Sequence, residues 1–294
     1  MNINQTKKNK MSSEKINKNQ SSPSSLRRSG GANILNKIVA NKRKEIELKN
    51  LIFPSSQYEH SVLFQRETFS LAQALKKSDS GIIAEFKRRS PSKNTINQEA
   101  NVGQVALDYQ QAGVCGISVL TDIKYFGGSL EDLIIARASV QKPLLRKEFI
   151  ISEYQIIEAK AYGADVILLI AAVLSKQEIK RFSELAKSLK LDVLLEVHNE
   201  EELHKSIMPS IDMLGVNNRN LKTFEVSLDT SKMLSKLIPD EFVKVSESGI
   251  SSVEAIKELK EFGYQGFLIG ENFMKTEKPG KSAIQFINDL RKIK

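Results

Sequence analysis

From Ile34 onward the chain alternates short apolar runs with longer amphipathic ones. The short runs are Gly81–Phe86, Val114–Leu120, Pro143–Leu145, Val166–Ile170, Val193–Val197, Met213–Val216, Val243–Ser246 and Gly266–Ile269. Each has the length of a buried strand, and their starts fall about 20 to 33 residues apart, the spacing of a strand-plus-helix unit. Helical periodicity fills the intervals at Val102–Ala112, Glu153–Tyr162, Gln177–Ser188, Glu200–Lys205, Leu228–Ser235 and Val253–Glu261, and again at Ala283–Lys292. Three of these helices run into a glycine stop, at Gly113, Gly163 and Gly263. Ahead of the first strand, Ile34, Leu35, Ile38, Val39 and Ile46 recur at helical spacing, and a second helical piece, Phe69 to Lys77, leads into the turn Ser78-Asp79-Ser80-Gly81. Strand, helix and glycine turn repeated to eight predict an α/β domain, a single (β/α)8 TIM barrel with an extra N-terminal helix. The competing architecture is an open doubly wound sheet. It would carry a glycine-rich phosphate loop after its first strand, and here Lys87-Arg88-Arg89-Ser90-Pro91 stands in that place.

Composition divides the chain in two. The 294 residues suit one such barrel, and 40% hydrophobic with 27% charged residues reads as globular. No apolar run is long enough for a membrane span, so no membrane partner is expected. Much of the net charge of +9 sits near the start, where Lys7, Lys8, Lys10, Lys15, Lys18, Arg27 and Arg28 face only Glu14. Residues 1–31 are rich in Asn, Lys and Ser and are expected to be a disordered basic tail, with the barrel domain at 32–294. The tail lacks the apolar core of a secretory signal and the Arg-rich amphipathic stripe of a transit peptide, which points to a cytoplasmic protein. Basicity confined to a tail is not the footprint of a nucleic-acid partner. The lone Cys115 sits at a strand entry and reads as a small buried hydrophobe. With no paired Cys and no clustered His, neither a metal nor another cofactor is expected. A monomer is the expected state.

In a barrel the chemistry collects where strands end at the C-terminal face. Strand 1 ends in Glu85 and Lys87, which share a face with Ile83 and enter the mouth together if Phe86 packs outward. A purely structural Glu–Lys pair is the alternative, although charges are seldom buried without a task. Strand 3 puts Leu145, Lys147 and Phe149 on one face, making Lys147 either a general acid or an exposed loop lysine. Strand 5 carries Glu196 beside Leu194, where partial burial would make it a usable proton acceptor. His198 follows and reads as a loop residue closing the next helix start. Strand 6 ends in Asn217 and Arg219, able to orient a hydroxyl or carboxylate and to fork an anion, or else simply to build a turn. Strands 7 and 8 end in Ser246-Glu247-Ser248-Gly249 and Ile269-Gly270-Glu271, positions where barrels seat a phosphate on backbone N–H groups. Taken together, these ends describe an enzyme acting by acid–base chemistry on a small phosphorylated molecule.

Several segments, in order and spacing, resemble the indole-3-glycerol-phosphate synthase family. They are Ile83-Ala84-Glu85-Phe86-Lys87-Arg88-Arg89-Ser90-Pro91-Ser92, Leu145-Arg146-Lys147-Glu148-Phe149-Ile150, Leu195-Glu196-Val197-His198, Gly215-Val216-Asn217-Asn218-Arg219-Asn220 and Ser246-Glu247-Ser248-Gly249-Ile250. The resemblance covers about residues 34 to 294. It implies a barrel carboxy-lyase of tryptophan biosynthesis that closes the indole ring of 1-(2-carboxyphenylamino)-1-deoxyribulose 5-phosphate with loss of carbon dioxide and water. It further implies Lys147 as general acid, Glu196 as general base, Glu85, Lys87 and Asn217 as further catalytic groups, and Ser90 and Arg219 as substrate-positioning residues. Phosphate contacts would come from Lys87, Ser248, Gly249, Gly270 and the backbone of Glu271, and the anthranilate ring would lie among Phe126, Phe149, Leu168 and Ile170. Two departures stand out: Asn94 where the family usually has glycine, and Glu271 where it often has a small Ser. The rival readings are a phosphoribosylanthranilate isomerase, which would need a Cys/Asp pair at strand ends, and a non-catalytic barrel binding a partner through its basic tail.

Overall fold

The computed structural model describes residues 31–221 and 223–292, with side chains from Ile34 onward. The expected tail lies almost wholly outside them. Eight parallel strands form a closed barrel in chain order: β1 Ile82–Phe86, β2 Gly116–Leu120, β3 Leu144–Lys147, β4 Val166–Ile170, β5 Asp192–Val197, β6 Met213–Asn217, β7 Val243–Glu247 and β8 Gly266–Ile269. The barrel closes where β8 pairs with β1, Ile83 opposite Leu268. Three helices precede β1: α1 Gly31–Ile52, α2 Ser55–Tyr58 and α3 Leu71–Lys76. The outer layer follows as α4 Val102–Ala112, α5 Ile123–Phe126, α6 Leu130–Ser139, α7 Glu153–Ala161, α8 Lys176–Ser188, α9 Glu200–Ser206, α10 Asp229–Ser235, α11 Val253–Glu261, α12 Glu271–Met274 and α13 Pro279–Lys292. No helix among the described residues is long and apolar enough to cross a membrane.

The apolar pattern predicts the strands well because each is buried on both faces, as parallel strands under helices must be. Ala84, Phe86, Ile117 and Val119 face the helices, while Ile83, Leu145, Leu168, Leu194, Val245 and Leu268 fill the barrel. Leu71 and Leu75 of α3 join the interior group and plug the N-terminal end. Gly113, Gly163 and Gly263 all take positive φ where their helices stop. The two helices after β2 were not legible as amphipathic runs. In α5 no side chain is buried, and α6 buries Leu133 and Ala136 but leaves Ile134 and Ile135 largely exposed, so the apolar stripe blurs.

Charges fix two regions. The outward face of β3 carries Arg146, fully buried and bonded to Glu158 of α7 at 2.6 Å. Glu158 also takes Lys49 of α1 at 3.1 Å. One helical stretch earlier, Lys42 is buried between Asp122 and Glu148, both at 3.2 Å, and Glu45 at 2.8 Å. Burial opposes the Lys42 charge, but these carboxylates outweigh it and hold the ammonium above the usual lysine range. Thus α1 is clamped at two levels, by Lys42 to Asp122 and Glu148 beside the end of β3 and by Lys49 to Glu158 of α7. At the opposite end of the barrel, fully buried Asp165 accepts from Arg66 at 2.6 Å, the Phe69 backbone N–H at 2.8 Å, Arg137 at 2.8 Å and the Leu144 backbone N–H at 2.8 Å.

Asp165 is therefore a stability residue of the barrel base, remote from the strand C-termini. Asp165→Ala strands the buried Arg137 guanidinium and two backbone donors, and chemical denaturation should report a loss of about 3 kcal/mol or more. A loss under about 1 kcal/mol would show the network to be dispensable.

Candidate active site

The strand C-termini open into one cavity of about 410 Å³, within the size range of small-molecule sites. Its lining includes Glu85, Lys87, Ser90, Phe126, Lys147, Phe149, Leu168, Ile170, Glu196, Asn217, Arg219, Ser248, Gly249, Gly270 and Glu271. Every residue to which the family resemblance assigns a role thus lines the same space, whereas His198 and Ser246 do not. Period-two alternation explains why: Glu85 follows Ile83, Lys147 follows Leu145 and Glu196 follows Leu194, each continuing an interior-facing row at the mouth. Ile34, Leu35 and Ile38 of α1 also line the cavity, so the N-terminal helix walls the mouth, a placement its periodicity alone did not disclose.

At the floor, the Lys147 ammonium sits 3.4 Å from Glu196 Oε2 and donates a close hydrogen bond to Glu247. Glu85 accepts from Lys87 at 2.5 Å. Burial works against the Lys147 charge, yet Glu247, Glu196 and Glu85 overcome it and hold the ammonium well above the usual lysine range. Burial likewise opposes ionisation of Glu196, but Lys147, His198 and Asn217 reverse the balance and keep it below the usual carboxylate range. Glu247 differs. Burial pushes it up to about 7, aided by the negative charge of Glu196 and opposed by Lys147. Its Oε1 is buried with no hydrogen-bond partner among the described residues, although it lines the cavity.

Sequence reasoning listed Glu247 as part of a strand end but gave it no role. On the neighbouring strand Gly215, two residues before the register partner Asn217, clears the space for it. A Cβ at Gly215 would lie 2.4 Å from Glu247 Oε1, and one at Gly270 would lie 2.5 Å from Glu85 Oε1. These two glycines exist to admit carboxylates. His198 was also read too simply. It does sit at the start of α9, where its backbone N–H donates to Glu202 at 2.9 Å, but its ring reaches the side of Glu196, with Nε2 3.4 Å from Oε1.

Across the mouth, Ser248 and Gly249 take consecutive positive φ values, 67° and 80°, and form a tight turn that lines the cavity. Asn218 braces it, donating to the Ser248 carbonyl at 3.1 Å and accepting from Ser231 Oγ at 2.8 Å. Gly270 opens the short helix α12 beside it. The Glu271 carboxylate is drawn to Lys93 of the loop after β1, and Lys93, Lys87 and Arg219 hold it below the usual range despite burial. Asn217 Oδ1 accepts from the Arg219 backbone N–H at 3.0 Å, while the guanidinium donates to the Phe224 carbonyl at 3.2 Å. Opposite this polar arc, the rings of Phe126 and Phe149 lie 5.9 Å apart and, with Leu168 and Ile170, make an apolar wall.

Residues 35–286 match the model of the family described as indole-3-glycerol phosphate synthase. The chain belongs to that family. A relative from Bacteroides thetaiotaomicron named indole-3-glycerol phosphate synthase is 47% identical over 88% of this chain and 99% of its own. One of the same name from Acinetobacter baylyi is 42% identical over 85% of this chain and 93% of its own. Among solved structures, 3-hexulose-6-phosphate synthase from Salmonella typhimurium aligns over 72% of this chain and 99% of its own. Its TM-score is 0.58 at 14% identity, a likeness of fold alone.

The raised Glu247 is open to direct measurement. A difference infrared titration should show a protonated carboxyl band that disappears as the pH rises through about 7 and that is absent from Glu247→Gln. The same band persisting in the variant would place the titration on another group.

Proposed function

We propose that this chain closes the indole ring of 1-(2-carboxyphenylamino)-1-deoxyribulose 5-phosphate, releasing carbon dioxide and water, as a carboxy-lyase of tryptophan biosynthesis. The observation that carries the reading is the Lys147 ammonium held between Glu196 and Glu247 on the cavity floor. In this reading the phosphate rests on the Ser248–Gly249 turn and the Gly270–Glu271 backbone, with Lys87 as its cation. The anthranilate ring lies on the wall of Phe126, Phe149, Leu168 and Ile170, and Ser90, Asn217 and Arg219 orient the polar groups.

The chemistry follows. The ring carbon bearing the carboxylate attacks the ketone carbon, and Lys147 gives a proton to the ketone oxygen as its charge develops. The C–CO2 bond then breaks, and its electron pair restores the aromatic ring. The new hydroxyl departs as water after taking a proton from an ammonium at the mouth, Lys147 or Lys87. Glu196 takes the proton from the methylene carbon next to nitrogen, which completes the indole double bond. An ammonium pinned by buried carboxylates delivers its proton only to a stronger base, such as the nascent alkoxide, and is protonated again from its neighbours. The isomerase alternative fails on geometry: Cys115 is buried just before β2, at the opposite end of the barrel from the mouth.

Incubation of the purified chain with the substrate should produce indole fluorescence, against the low background of a protein with no Trp. No turnover under any condition would refute the function. Lys147→Ala is expected to lose at least about two orders of magnitude in kcat, the scale of a general acid, and a near-wild-type rate would remove Lys147 from that role. For Arg219→Ala the loss should fall mainly on kcat/KM; an unchanged kcat/KM would assign the guanidinium to the loop it braces.

A further inference from the structure

His198 is buried between two carboxylates that belong to different parts of the molecule. Its Nδ1 lies 3.0 Å from Glu202 Oε2. That same oxygen accepts from the His198 backbone N–H at 2.9 Å, and Asn199 holds the other carboxylate oxygen at 3.0 Å. Glu202 is thus fixed as an acceptor, so Nδ1 carries a proton. The other ring nitrogen points at Glu196 Oε1 from 3.4 Å and is buried without a hydrogen-bond partner among the described residues. A bare lone pair there would face a carboxylate oxygen. Two arrangements avoid this: an imidazolium beside ionised Glu196, or a neutral imidazole beside protonated Glu196. The two differ only in which group holds one proton.

The side-chain exposures rise outward, from 6% for Glu196 through 9% for His198 to 14% for Glu202. Counting protons shows why such a chain matters. In the proposed reaction two protons are added, one to the ketone oxygen and one to the departing hydroxyl, and one is removed from carbon. With the substrate carboxylate leaving as neutral carbon dioxide, each turnover takes one proton net from solvent. Where Lys147 is the donor, that proton has to return to an ammonium 14% exposed in the cavity the substrate fills, beside Glu196 and Glu247 at 6% and 2%.

We propose that His198, anchored by Glu202, is the group through which Glu196 exchanges protons with solvent between turnovers. The inference rests on Glu196 being the base of the proposed reaction. The transfer is a simple exchange: Nε2–H gives its proton to Glu196 Oε1, Glu196 passes one from Oε2 to Lys147 at 3.4 Å, and the neutral ring, which keeps its Nδ1 proton, regains one on Nε2 when it turns that nitrogen toward solvent. The charged groups around the ring are Glu196 on β5, Glu202 on α9 and, across the mouth, Glu247 on β7 with Lys147 between. Burial opposes the His198 charge, but the bond to Glu202 and the charges of Glu196, Glu202 and Glu247 prevail and raise its pKa, which favours the imidazolium that carries the exchangeable proton. His198 is a positioning and proton-exchange residue, not a catalytic one, since it does not reach the substrate space.

The test uses the full chain with His198→Ala and His198→Asn, assayed for indole formation across pH 6 to 9 with and without added imidazole. Steady-state kcat should fall roughly tenfold or more, most steeply at high pH where protons are scarce, and imidazole should restore His198→Ala in a concentration-dependent way while leaving wild type unmoved. Glu202→Gln, which keeps the ring in place, should shift the alkaline limb of the pH profile downward. Wild-type kcat in His198→Asn, or a loss that imidazole does not relieve, would overturn the proposal. Glu196→Gln run in parallel separates the two readings: it should lose turnover without rescue, and if it keeps wild-type turnover, the base assignment fails whatever His198 does.

Discussion

An ammonium at the floor of a barrel mouth must be neutralised or lose its proton, and around Lys147 three carboxylates do the first at the expense of one another. Glu247 and Glu196 contact it directly and Glu85 adds its field. Carboxylates crowded round one cation compete for ionisation, as like charges in a shared site do. Here the competition resolves unequally: Glu196 is stabilised as an anion by His198 and Asn217 as well, while Glu247 is left near neutrality. The division of labour between two chemically identical side chains is then a matter of what stands behind each. Glycines at Gly215 and Gly270, which make room for Glu247 and Glu85, are part of the same arrangement.

The apolar wall completes the electrostatics. With Phe126, Phe149, Leu168 and Ile170 on one side of the cavity, the field of the charged floor is less diluted by water than it would be at an open surface. The phosphate seat proposed above would lie on the turn after β7, where Ser248 and Gly249 take positive φ.

Much of this was legible in the sequence because a parallel barrel converts chain order into position. The last inward residue of each strand arrives at the same mouth, and Glu85, Lys147, Glu196 and Asn217 do line one cavity. Glu247 was harder to read. Period two carries the interior row of Val243 and Val245 on to Glu247, but nothing in Ser246-Glu247-Ser248-Gly249 gives it a task until Lys147 is placed beside it. His198 escaped for a different reason: a residue just past a strand is free to point either way, and period two no longer decides. The role of α1 was invisible, since Lys42 reads as one more surface lysine of a lysine-rich chain until Asp122 and Glu148 are placed beside it. Contacts between residues distant in sequence carry that information, and no local pattern does.

The double clamp on α1 has a mechanical consequence. Lys42 and Lys49 fasten the helix to charges on or beside β3 at two points about two turns apart, and a rod pinned twice along its length can neither slide nor swivel. Its freedom is confined to the overhang before Lys42, the stretch carrying Ile34, Leu35 and Ile38. The mouth of this barrel is therefore fitted with a cantilever: its root is held by Asp122, Glu148 and Glu158, around the strand that delivers Lys147, and its tip overhangs the cavity.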